Sequence, residues 1–300
     1  MDADALEELG PVHTVPLRSR GEFVDYFESR MRPRLAVERL MAESRIGDER
    51  WSIPGFCRAC RIASPFEMDW VSSDGTTPNF RERMICGRCG LNNRQRFMAS
   101  LLIDTFEESR FDDTQLYMYE QETAFFRFIK SRLPNIALTG SEYLGIEYAP
   151  GQEIQGIRHE DALQLTFEDS SLDAIISNDV FEHVPDIDLA LAEAARVLKG
   201  NGRLFFTIPF HSNSDHTKKR ARLVDGNIEM LLPPEYHGNP IDPVNGSLVF
   251  YDHGWDILER CCENGFSDAY ALGYYDPLFG HLGGGLQFLL VADRAPTSSV

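Results

Sequence analysis

Four cysteines fall in two pairs of equal spacing, Cys57-x-x-Cys60 and Cys86-x-x-Cys89. Two thiolates two residues apart on a tight turn grip one face of a tetrahedral ion, and a second such turn closes the site. Four sulfurs leave no position open for a substrate. The set therefore reads as a structural zinc ribbon or knuckle, with an iron–sulfur centre or unliganded thiols as the alternatives. Closed ribbons also serve as docking modules, so this one does not by itself fix a function. Cys261 and Cys262 are neighbours in an expected helix and read as packing thiols of a reducing compartment.

A second set of polar residues stands just after successive short apolar runs. Glu142 ends LTGSE, Asp161 lies in RHEDA, and Asn178, Asp179, Glu182 and His183 follow AIIS in AIISNDVFEHVPD. In an open parallel sheet, ligands bind beyond the carboxyl ends of the strands, so these are the residues placed for chemistry. His183 stands where a general base reaches a hydroxyl, amine or acid, or where a hydrogen-bonded imidazole orients a loop. His211 ends the next apolar run.

The elements that must position them follow from periodicity. Strands are expected at Gln115–Tyr119, Ile136–Ser141, Gln155–His159, Leu172–Asn178, Arg203–Phe210, Asp268–Tyr275 and Leu286–Ala292. Helices fall between them, most clearly Ile187–Lys199 and Gly254–Asn264. Asp186 caps the first of these, and Leu191, Ala194, Ala195 and Leu198 give it one apolar face. The alternation predicts a parallel α/β sheet with helices on both faces. Ahead of it, residues 1–50 form a helical lead-in bent near Pro33, and 51–110 hold the ribbon and a connecting helix from Leu91 onward.

From Gln115 to Arg294 the sequence resembles the class I S-adenosylmethionine-dependent methyltransferases, in particular those with the type 11 domain. The segments EDALQLTFEDSSLDAIISNDVFEHVPD and AEAARVLKGNGRLFFTIPF carry the likeness. The resemblance implies a Rossmann-like seven-stranded sheet over 111–300 and S-adenosylmethionine as cofactor. It also implies ribose hydroxyls on Glu142, adenine on Asp161 and the Ala162 backbone, and Asn178 at the cofactor. The family's glycine-rich turn after the first strand is here Glu120-Gln121-Glu122. We read it as an acidic pocket in which Glu120 or Glu122 faces the cationic methionine end of the cofactor; the rival is a domain that has lost the cofactor. The insertion 211–252 is then a substrate lid, with Asp179, Tyr236 and His237 as substrate contacts and His183 and His211 as catalytic candidates.

Charge narrows the partners. The formal net charge is −18, a field that repels polyphosphate backbones and anionic lipid surfaces. KKRAR, Lys218 to Arg222, is a basic island, either a holder of a substrate phosphate or carboxylate or a solvated loop. No apolar run reaches the length of about 18 residues that spanning requires, and the N-terminus MDADALEELG is acidic. The expectation is a cytoplasmic enzyme acting on a small polar metabolite, with neither nucleic acid nor membrane as partner and its oligomeric state open. A zinc-ribbon RNA methyltransferase and a non-catalytic binding domain are the alternatives.

Overall fold

A computed structural model describes residues 9–107 and 113–296. They fall into two compact units, one made of 9–17, 21–107 and 272–289, the other of 18–20, 113–271 and 290–296. The expected boundary at 110–111 lies outside the described residues.

A seven-stranded sheet runs in the order Thr14–Leu17, Asp268–Tyr274, Gln287–Asp293, Leu198–Thr207, Leu172–Asn178, Gln115–Met118, Ala137–Gly140. The last four pair in parallel, and Gln287–Asp293 is antiparallel to Leu198–Thr207. Leu172–Asn178 buries five of its seven residues, the apolar run Leu172, Ala174, Ile175 and Ile176 among them, as suits a central parallel strand with both faces covered. The chain leaves Gln115–Met118 for one neighbour and then returns to the other side of it. The switch point between Gln115–Met118 and Leu172–Asn178 is therefore where an open α/β sheet forms its crevice.

The expected strand Gln155–His159 is not part of this sheet. Gln155 and Gly156 both take positive φ, 53° and 84°, and turn the chain into a two-residue hairpin between Glu153–Ile154 and Ile157–Arg158. A single parallel bridge, Glu142 to His159, takes the place of the missing strand beside Ala137–Gly140. Thr14–Leu17 brings the strand count to seven at the opposite edge. The helix expected over Ile187–Lys199 runs Ile187–Val197, capped as foreseen by Asp186, and Leu198 passes directly into the next strand.

In the other unit, Arg50–Cys57, Ile62–Asp69 and Ile85–Cys86 form an antiparallel sheet, two of whose strands end on Cys57 and Cys86. The helix Asn93–Phe106 starts with a reciprocal capping box between Asn92 and Gln95. The bend expected near Pro33 is a π-helical turn, Phe27–Met31, just ahead of the helix Arg32–Glu43. Glu38 on that helix accepts hydrogen bonds from the N–H groups of Gly283, Gly284 and Gly285 at 3.0, 3.0 and 3.3 Å. Three successive positive φ angles aim those donors at one carboxylate, a backbone only glycine adopts freely.

Candidate functional site

The four paired cysteines come together. Their sulfurs all lie within 4.8 Å of one another, and about 3.8 Å is the spacing that four Zn–S bonds of about 2.3 Å impose on a tetrahedron. Each pair closes a turn whose next residue takes positive φ, Arg61 at 55° and Gly90 at 72°. The Arg88 N–H points at the Cys86 sulfur at 3.3 Å, as a metal-held thiolate requires of its surroundings.

Arg96 supplies an independent test of that fit. Its side chain is buried, stacks 4.0 Å from the Phe66 ring centre, and donates to the carbonyls of Phe279 at 2.6 Å and Gly280 at 2.5 Å. Burial pushes its pKa down, and the Cys57, Cys86 and Cys89 sulfurs lead the groups that oppose the shift, with Tyr274 after them. A buried guanidinium needs a counter-charge. Four thiolates around a divalent ion carry a net charge of about −2 and provide one.

In the other unit, the switch point gathers the acids expected there. Glu120 is 9% exposed and its Oε1 accepts from Asn178 Nδ2 at 2.5 Å. That bond sets the amide orientation and leaves Asn178 Oδ1 buried without a hydrogen-bond partner among the described residues. Glu122, two residues on, is exposed. The pair of glutamates in the turn thus has two different environments.

Glu142 holds the turn itself. Its Oε1 accepts from the N–H groups of Gln121 and Glu122 at 2.8 and 2.9 Å. Gly140 beneath it admits no side chain, because a Cβ there would stand 2.8 Å from the Glu120 carbonyl oxygen. Burial pushes the Glu142 carboxyl up, and the two amides oppose this. Asp161 accepts from the Leu163 N–H at 2.9 Å, and Ala162 is buried. Asp179, at φ 52°, accepts from Thr207 Oγ1 at 2.9 Å and so ties two strand ends together.

Past the parallel strand Leu172–Asn178, the short helix Phe181–His183 places His183 against the insertion. Its Nδ1 donates to the Leu248 carbonyl at 2.8 Å, and its ring meets that of His237 edge-on with centres 5.0 Å apart. Between them lies Glu182, with a fully buried side chain. Its Oε1 is 3.5 Å from His183 Nε2 and 3.5 Å from His237 Nδ1. Burial pushes the Glu182 carboxyl up, and Glu182 in turn pushes the His237 imidazole up.

The remaining predicted contacts are more open. Tyr236 is exposed, and His211 is exposed with Nε2 4.0 Å from Asp252. Both arginines of the basic island are paired with acids. Arg220 binds Asp252 at 2.8 Å and Glu235 at 3.1 Å, and Arg222 binds Glu229 at 2.7 Å.

Three residues at these sites carry no motif in the sequence that gives them a role. Arg96 was legible only as one cation in an otherwise apolar helix face. Tyr143, an exposed aromatic beside Glu142, lies with its ring centre 5.4 Å from that of His159. Glu182 was noted at the strand end but given no role, and nothing in FEHV says that its carboxylate turns inward.

Residues 134–206 match the methyltransferase domain family. Over that stretch the chain is similar to methyltransferase domains. Among curated proteins none matches the sequence. Similar solved structures include an S-adenosylmethionine-dependent methyltransferase from Mesorhizobium loti, 15% identical, covering 60% of this chain and 90% of that one at a TM-score of 0.37. Another is the 1,6-didemethyltoxoflavin-N1-methyltransferase of Burkholderia thailandensis with bound S-adenosylhomocysteine, 14% identical, covering 67% and 78% at a TM-score of 0.39. No described helix is long and apolar enough to cross a membrane.

Proposed function

We propose that the protein transfers the methyl group of S-adenosylmethionine to an oxygen or nitrogen of a small polar metabolite, such as a sugar or a biosynthetic intermediate. The observation that carries this reading is the buried acceptor Asn178 Oδ1 beside the buried carboxylate of Glu120 at the switch point. A buried acceptor without a donor is costly, and the α-ammonium of the cofactor's methionine end is a donor of the right charge.

When bound, S-adenosylmethionine supplies a methyl group already activated on a sulfonium. The residues of the chain bind and orient. Glu120 and Asn178 hold the amino end. Glu142, whose Oε1 fixes the turn, takes the ribose hydroxyls, and Asp161 with the Ala162 backbone takes the adenine edge. Tyr143 offers an aromatic face to the purine. Methyl transfer is an in-line displacement, so holding the acceptor in line supplies much of the rate. Asp179, His183, His211, Tyr236 and His237 stand on the acceptor side, at the strand ends and in the insertion 211–252. The self-neutralised arginines of KKRAR and the net charge of −18 favour an uncharged or cationic small acceptor over a nucleic acid.

The four cysteines hold a structural zinc ion in this reading, and the free thiols suit the cytoplasm. Calorimetric titration with S-adenosylmethionine tests the whole. Saturable one-to-one binding is expected, and a protein that binds neither it nor S-adenosylhomocysteine refutes the reading.

A further inference from the structure

The cluster of Glu182, His183 and His237 has the chemistry of a metal site. The three side chains offer one carboxylate oxygen and two imidazole nitrogens, all within 4.8 Å of one another. Bonds of about 2.1 Å at tetrahedral angles place ligand atoms about 3.4 Å apart. Oε1 of Glu182 stands 3.5 Å from each nitrogen. That is long for a hydrogen bond, and it is the same on both sides. An ion pair with one protonated imidazole would shorten one contact at the expense of the other.

The surroundings favour the same conclusion. The Glu182 side chain is 0% exposed, and neither of its oxygens has a hydrogen-bond partner among the described residues. An ionised carboxylate left so is costly unless a cation sits against it. Metal-held imidazoles direct their second nitrogen to a carbonyl or carboxylate. Both histidines do so. His183 Nδ1 donates to the Leu248 carbonyl at 2.8 Å, which leaves Nε2 as a lone pair facing Glu182. His237 Nε2 faces Glu235 Oε1 at 3.4 Å, which leaves Nδ1 toward the same point.

We propose that Glu182, His183 and His237 bind a first-row divalent cation such as Zn2+, oriented by Leu248 and Glu235. Nitrogen and carboxylate ligands in this number suit such ions and leave at least one position open. An oxygen or nitrogen donor of a bound molecule fills that position. The four-cysteine site, with four sulfurs and none open, is a separate centre of different ligand chemistry.

Equilibrium dialysis of the full chain against Zn2+, followed by metal and protein analysis, counts the sites. Two equivalents are expected in the wild type. Glu182→Gln and His237→Ala each keep one, and Cys86→Ser loses the other. Glu235→Gln, at an exposed side chain where folding is not at risk, weakens the second equivalent about ten-fold. One equivalent in the wild type overturns the proposal, as do two tightly bound equivalents in both Glu182→Gln and His237→Ala. The count uses no cofactor, so failure to bind S-adenosylmethionine would refute the methyltransferase reading and leave this site standing.

Discussion

Asn178 donates its amide to Glu120 across the switch point at 2.5 Å, joining the end of the strand Leu172–Asn178 to the turn after Gln115–Met118. The glutamates that replace the glycine turn are thereby told apart. Glu120 is a buried wall of the crevice, and Glu122 is a surface residue ahead of the helix Ala124–Arg132.

Glu120→Gln should therefore weaken S-adenosylmethionine about ten-fold or more, since a hydrogen bond to a charged group is worth roughly 1.5–3 kcal/mol. Glu122→Gln should change it by less than about two-fold. Calorimetry with S-adenosylhomocysteine in parallel locates the contact. Equal losses place Glu120 at the amino group that both ligands share, and a loss confined to S-adenosylmethionine places it at the sulfonium.

Glu142→Ala removes the acceptor of two backbone N–H groups and, in the proposed function, of the ribose hydroxyls, so it should cost both affinity and stability. Glu142→Gln keeps a carbonyl oxygen for the turn and should retain the melting temperature while cofactor affinity drops. Asp161→Ala is expected to weaken binding about ten-fold. Wild-type affinity in both Glu142→Gln and Asp161→Ala would remove these acids from the cofactor site.

Cys86→Ser opens the four-sulfur site and should lose its zinc equivalent and lower the melting temperature. Arg96→Met tests the counter-charge. With the ion bound, removal of the guanidinium leaves the anionic centre uncompensated, and zinc should be released to a chelator faster than from wild type. Unchanged release would show that Arg96 serves only the carbonyls of Phe279 and Gly280.

Global stability should fall as the medium is acidified. Burial depresses the His253 pKa to about 4, against an ordinary value of 6.5, and holds the His281 imidazole well below that ordinary value. The unfolded chain takes up these protons first, so stability is full above about pH 6.5 and declines as pH falls toward 4. His253 alone contributes roughly 3 kcal/mol to that decline. Urea unfolding at several pH values measures the slope, and His253→Leu should flatten it.

The sequence by itself determined the parts whose cause is local. Two C-x-x-C turns declare a four-sulfur site because the spacing is the geometry. The strands Gln115–Met118, Ala137–Gly140 and Leu172–Asn178 and the helix after Asp186 were legible because apolar period and capping are written in consecutive residues. The hairpin at Gln155-Gly156 is not legible in the same way, because a short apolar run does not say whether it pairs with its neighbour or with a sheet. Tertiary structure alone decided what lies far apart in the chain. It returned 272–289 to the first unit, where Arg96 finds its carbonyls and Glu38 its three glycine amides. It also chose Glu120 over Glu122 for the crevice and set His237 against Glu182, 55 residues earlier in the chain. Burial and long-range pairing belong to the folded whole, and no window of sequence contains them.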